Sequence, residues 1–144
     1  MNETIRKFGH PATLIRDYAH WVVLLRPAQV TLGSLVLAAK SDATDFAALP
    51  APAFAEMREV VSDIERALAR AIEYQKINYL MLMMVDPHVH FHVIPRYEGS
   101  RSGAALTLAD KGWPGPPDLA TAAKIDSSEI AALATWLKGY WPRA

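Results

Sequence analysis

The sequence predicts an α+β fold: an antiparallel sheet of about five strands, one long amphipathic helix and a C-terminal helix. Three observations predict it. Two short runs rich in β-branched and apolar residues, Trp21–Leu25 and residues 34–38, come before residue 50. A single stretch of helical period follows from Pro52. Two further apolar runs, residues 78–85 and 89–94, are separated by Asp86 and Pro87, which favour a tight reversal.

In chain order, residues 13–18 form a short segment that can extend. Trp21–Leu25 has no polar alternation, so both of its faces are expected to be covered. The loop 27–31 leads into a strand that starts after Gly33, and residues 41–50 are small, polar and end in proline, which reads as a loop. Phe54, Met57, Val61, Ile64, Leu68 and Ala71/Ile72 then recur at steps of three and four, with charges falling between them. This is a helix with one buried stripe, and Pro52 suits its first turn. Residues 78–85 read as a continuous apolar strand, antiparallel to its neighbour at 89–94. Residues 98–117, with four glycines and three prolines, read as loop. Asp126 followed by Glu129 has the form of a capping box, Ile130, Leu133 and Leu137 make an apolar stripe, and Gly139 is a stop signal.

The chain of 144 residues is the size of one domain, and 15 basic side chains balance 15 acidic ones. No global field attracts a nucleic-acid polymer or an anionic membrane, so any anionic ligand must be held by local geometry. There is no cysteine, which excludes disulfides and thiolate metal sites and agrees with a cytoplasmic location. The first eleven residues carry Glu3, Arg6 and Lys7 and lack the apolar core of a signal peptide.

Chemistry concentrates in His88, His90 and His92. In a strand, residues two apart share a face and stand roughly 6.5–7 Å apart. An extended segment would therefore point all three imidazoles one way, into a cleft or a partner, with Val89, Phe91 and Val93 packed under the long helix. The plainest explanation is three histidines that only satisfy local hydrogen bonds, but strict alternation in an apolar strand speaks against it. Zinc on His90 and His92 is a second, although it needs a third and a fourth ligand, for which His88 could serve only with some distortion and no cysteine is present. In the third, neutral imidazole attacks phosphorus while its neighbours hold phosphoryl oxygens or aid the leaving group. Attack by neutral imidazole implies that activity falls well below about pH 6.

The segment from His88 to Ile94 matches the His-φ-His-φ-His-φ-φ signature of the histidine triad (HIT) family, and Pro95-Arg96 extends the match. The chain resembles that family over roughly residues 13–97, as one HIT-like domain with residues 98–144 as a C-terminal extension. The strand led by Gly33 and Ser34, and Asn78 ahead of the triad, are similar to family features. The resemblance implies hydrolysis or transfer of a nucleoside monophosphate from a phosphoramidate or dinucleoside polyphosphate, with a nucleotidyl-histidine intermediate. It implies His90 as nucleophile, with His88 and His92 contacting phosphate or orienting it. Asn78, Ser34 and Arg96 become candidate substrate-binding residues. The partner implied is a small-molecule nucleotide, the assembly a homodimer, and no metal or other cofactor is called for. Two departures stand out: Ser34 occupies the place of a usual upstream histidine, and Leu80 to Val85 replace the usual polar pair before the triad. A nucleotide-binding module with little turnover is the alternative, and a His-ligated metal protein a further one.

Among other residues, Arg96 can steer phosphate or pair with an acidic neighbour, and Met81, Met83 and Met84 read as core packing. Trp136 reads as core, Trp141 as base-stacking or contact-forming, and Trp113 as a lid in its Gly/Pro-rich loop.

Overall fold

The computed structural model describes residues 1–143. In chain order the elements are α1 (Glu3–Lys7), β1 (Leu14–Asp17), β2 (Trp21–Leu25), β3 (Ala28–Gln29), β4 (Leu35–Ala39), α2 (Ala51–Ile72), β5 (Lys76–Leu80), β6 (His90–Arg96), β7 (Ser100–Gly103), β8 (Leu106–Ala109), β9 (Ala123–Lys124) and α3 (Ser127–Lys138). The main sheet has five strands in the order β1-β2-β4-β6-β5, and every pairing is antiparallel. The α+β expectation holds. Among the described residues no helix is long and apolar enough to cross a membrane.

Both faces of the central strands are covered, as their unbroken apolar runs require. One face presents Trp21, Val23, Leu25, Leu35, Leu37 and Val93 to α2, which buries Val60, Ile64, Ala67 and Leu68 against them. Trp21 satisfies its indole N–H by donating to the Ala53 carbonyl at 2.8 Å. The buried side of α2 centres on Ala53, Val60, Ile64 and Ala67, while Phe54 is exposed. The stripe read from sequence holds at Ile64, Leu68 and Ile72, with Met57 and Val61 half-buried, and fails at Phe54, where Ala53 and then Val60 are the fully buried residues instead.

The second face carries Val22, Leu24, Val36 and Ala38, closed by Ile5 with Phe8 and Leu14 beside it. Cross-strand register pairs Val36 with His92 and Ala38 with His90. Residues directly opposite share a face, so both imidazoles stand on this second side.

Two expectations need correction. Residues 78–85 are not one strand: β5 ends at Leu80, and the chain loops through Met83, whose φ is 53°, to His90. Met84 and Val85 are 84% and 79% exposed, so Met84 is not core. Second, residues 98–117 contain a hairpin, β7 on β8, turning at Ala104 and Ala105 with φ of 51° and 64°. Positive φ at both central positions suits the twist of a two-residue hairpin, here without the Asn-Gly signal that normally announces it. The N-terminal residues, to which the sequence pattern assigns no element, form α1, capped by the Asn2 side chain, which accepts from the Ile5 N–H at 3.0 Å.

The C-terminal helix is as expected, with the Asp126–Glu129 capping box formed and Leu133 and Leu137 buried. It packs on β1 and α2, and the Trp141 indole donates to the Tyr18 hydroxyl at 3.0 Å. Trp136 is half-buried, against Tyr140 and Gly103, where even a Cβ would meet its ring.

Candidate active site

His90 and His92 are set side by side by the pleat of β6, with ring centroids 5.2 Å apart and planes near perpendicular. His88 lies just outside the strand, in the loop that enters it. The row is thus a pair within the strand and one ring outside it. His88 is held by Thr4 of α1, whose hydroxyl oxygen is 2.9 Å from the ring Nδ1 and accepts from the His88 N–H at 3.3 Å.

The hydrogen bonds of the other two rings settle where their protons sit. His90 Nδ1 is 2.7 Å from the His88 carbonyl oxygen. A carbonyl only accepts, so Nδ1 must carry a proton, and in the neutral ring Nε2 keeps its lone pair. His92 is the converse. Its Nδ1 faces the Nε–H of Arg26 at 3.3 Å, and a guanidinium only donates. The His92 proton therefore sits on Nε2. Burial holds the His92 pKa down at about 4, helped by the Arg26 charge and by the neighbouring His90 and opposed by Asp86. The ring is neutral near pH 7. It can offer a hydrogen bond from Nε2 but is no acid there.

Arg26 had not been singled out in the sequence. It follows β2 on the same side as Leu24 and is itself fixed by donating to the Ala28 carbonyl at 2.6 Å. Burial lowers its pKa.

The imidazoles do not face an open cleft, contrary to the expectation. His90 is 2% exposed and His92 8%. Phe8 lies over both, its ring centroid 5.5 Å from His90 and 5.8 Å from His92. A five-residue helix gives too short a period to be read from sequence, and its apolar residues are needed to cover Val22, Leu24 and Val36.

The other three candidates are placed elsewhere. The Ser34 hydroxyl closes its own turn, donating to the Thr31 carbonyl at 2.8 Å and accepting from the Thr31 N–H at 3.0 Å. Arg96 is buried and bidentate on Asp110, at 2.7 and 3.1 Å, and also donates to Asn78 Oδ1 at 2.9 Å. Four residues along β6 put Arg96 roughly 13 Å from His92. Asn78 and Arg96, with Lys76 and the loop bearing Trp113, line a separate pocket of about 350 Å³. Among the described residues no group of three or more His, Cys, Asp or Glu side chains is placed to hold a metal ion.

The HIT domain model matches residues 10–99, well over half of the chain and including the whole triad. The chain belongs to the HIT family. Solved HIT proteins have the same fold. A histidine triad protein from Marinobacter aquaeolei VT8 is 18% identical with a TM-score of 0.73, covering 98% of this chain and 94% of that one. A histidine triad (HIT) protein from Sinorhizobium meliloti 1021 is 22% identical with a TM-score of 0.72, covering 95% and 93%. A Zn-bound histidine triad family protein from Mycobacterium smegmatis is 20% identical with a TM-score of 0.63, covering 94% and 88%. No curated protein sequence matches the chain.

Proposed function

We propose that this HIT protein cleaves nucleoside phosphoramidates or dinucleoside polyphosphates at the α-phosphate through a nucleotidyl-His90 intermediate. The observation that carries the reading is the pair of opposite tautomers on adjacent rings. His90 Nε2 has a lone pair free for phosphorus, and His92 Nε2 has a proton to offer a phosphoryl oxygen.

In the first step the His90 Nε2 lone pair forms a bond to phosphorus as the bond to the leaving group breaks with its electrons. A polyphosphate leaves as an anion, and an amine takes a proton from solvent. The imidazole becomes positive, and its Nδ1–H tightens on the His88 carbonyl. In the second step water attacks phosphorus, the electrons of the P–N bond return to His90, and the water proton goes to solvent. His92 holds a non-bridging oxygen throughout, kept in that tautomer by Arg26.

The reading includes a homodimer. It is supported by exposed Leu82, Met84 and Val85 in the loop leading to the triad, since monomers rarely display such clustered apolar side chains. Light scattering at micromolar concentration checks it, and a monomeric mass would remove that part.

A second reading, nucleotide binding without turnover, is favoured by the burial of His90 under Phe8. Incubation with adenosine phosphoramidate and diadenosine tetraphosphate, with and without chelator, beside His90→Asn, separates them. Hydrolysis that survives chelator and is lost in the variant is expected. Binding without product supports the second reading, and chelator-sensitive turnover defeats both.

A further inference from the structure

We propose that Phe8 and the last turn of α1 form a gate over His90, which swings out before any ligand reaches the ring. The inference rests on the reading of His90 as nucleophile, since a buried imidazole needs no door unless something must meet it.

The two ends of α1 are held differently. At its start Asn2 is anchored, its side-chain amide donating to the carbonyls of Ala39 at 2.9 Å and Ser41 at 3.1 Å. Ile5 is fully buried in the same small cluster. The end is held by Phe8 packing on that cluster, by the Thr13 hydroxyl, which donates to the Phe8 carbonyl at 2.7 Å, and by one ion pair at the surface. Lys7 Nζ pairs with Asp86 Oδ1 at 2.6 Å, and Lys7 is 54% exposed. An ion pair with an exposed partner is weak and screened by salt. Gly9 follows at φ 93°, a conformation that only glycine adopts freely, and lets the chain turn away from α1 directly after Phe8.

The seam between the two sides is already parted. A pocket of about 580 Å³ lies between α1 and the triad loop, lined by Thr4, Arg6, Lys7, Asp86 and Pro87 among others. Its walls touch the latch at both partners of the Lys7–Asp86 pair. Outward motion of the last turn of α1 widens this space and uncovers His90 and His92 together, because the same ring of Phe8 covers both.

The chain has no cysteine, so the latch can be tied without side reactions. Lys7→Cys with Asp86→Cys, joined by a short reducible bis-thiosulfonate linker, holds the gate shut; a reductant frees it. Carbethoxylation of His90 by diethyl pyrocarbonate, located by tandem mass spectrometry, reads the opening directly. The rate at His90 is expected to be at least about tenfold lower in the linked protein than after reduction, since modification tracks the open population. His20, on the β1–β2 turn and held by Glu56 and Lys40, serves as an internal standard. Equal rates at His90 in the two states overturn the gate. Should the double variant not fold, Phe8→Ala decides: faster modification than in the unaltered protein supports the gate, and an unchanged rate overturns it. Turnover of adenosine phosphoramidate on the same samples keeps the two ideas apart. Gated reactivity without turnover would leave the gate standing and sink the catalytic reading.

Discussion

His90 Nδ1 lies 2.7 Å from the carbonyl oxygen of His88, two residues back in its own chain. The backbone that brings the triad into β6 thereby fixes the tautomer of its middle member. Arg26, just after β2, does the opposite to His92. Nitrogen NMR of labelled histidine should show a protonated Nδ1 and bare Nε2 for His90, and the reverse for His92. Like tautomers on the two rings would contradict this geometry.

Arg26→Met removes both the donor to His92 Nδ1 and a positive charge that holds the His92 pKa down. The ring then loses its preference for a proton on Nε2, and its pKa rises. Turnover is expected to fall by about a hundredfold, the scale on which a positioned donor acts, while Arg26→Lys restores part of it. Unaltered kcat and an unaltered pH profile in Arg26→Met would show that the contact has no catalytic role.

The His92 pKa of about 4 lies below the ordinary 6.5, so the sign of its effect on stability follows. Below pH 6.5 the unfolded chain binds a proton that the folded chain refuses. Its contribution is present in full above 6.5, declines as pH falls towards 4, and is flat beneath that. Burial is the main cause of the shift, with Arg26 and His90 adding to it and Asp86 opposing it. Urea titrations at a series of pH values should show this slope, reduced in His92→Asn. An equal slope in the variant would assign it to other groups.

The larger elements were readable from pattern, and the site only in part. Trp21–Leu25 and Leu35–Ala39 announce themselves by unbroken apolar runs, and α3 by Asp126, Glu129 and Gly139. Met81 to Val85 look the same as such runs, yet they leave the sheet, because an apolar run does not say whether a neighbour is there to pair with. The β7–β8 hairpin was hidden by Gly99, Gly103 and serines that read as loop. The alternation of His88, His90 and His92 located the centre of the site. What surrounds it was out of reach, since Arg26, Thr4 and Phe8 meet the triad only through the pairing of β2, β4 and β6 and the folding back of α1. Arg96 shows the converse. It continues the motif in sequence, but a buried Asp110 from after the hairpin claims its guanidinium.

Asp110→Ala should therefore be among the most damaging single changes. The Arg96–Asp110 pair is almost wholly buried, with side chains 4% and 1% exposed. Removing one partner leaves an uncompensated charge, a loss of about 3–5 kcal/mol. Urea denaturation measures it, and a change below about 1 kcal/mol, as for a surface pair, would refute the assignment.

Tyr97→Phe tests how the glycine turn before β4 is held. The Tyr97 hydroxyl accepts from the Leu32 N–H at 2.8 Å and donates to the Leu108 carbonyl at 2.9 Å, tying the turn to the hairpin. The substitution leaves a buried N–H without its acceptor and should cost about 1–3 kcal/mol. Thermal unfolding reports it, and an unshifted midpoint would mean that the turn does not depend on the hydroxyl.

The stereochemical course at phosphorus tests the role of His90 most directly. A single diastereomer of an α-thio-substituted substrate, hydrolysed in heavy-oxygen water, yields a chiral nucleoside phosphorothioate. Two in-line displacements, first by His90 Nε2 and then by water, give net retention. Net inversion would mean that water attacks the substrate directly and that no bond from His90 to phosphorus forms.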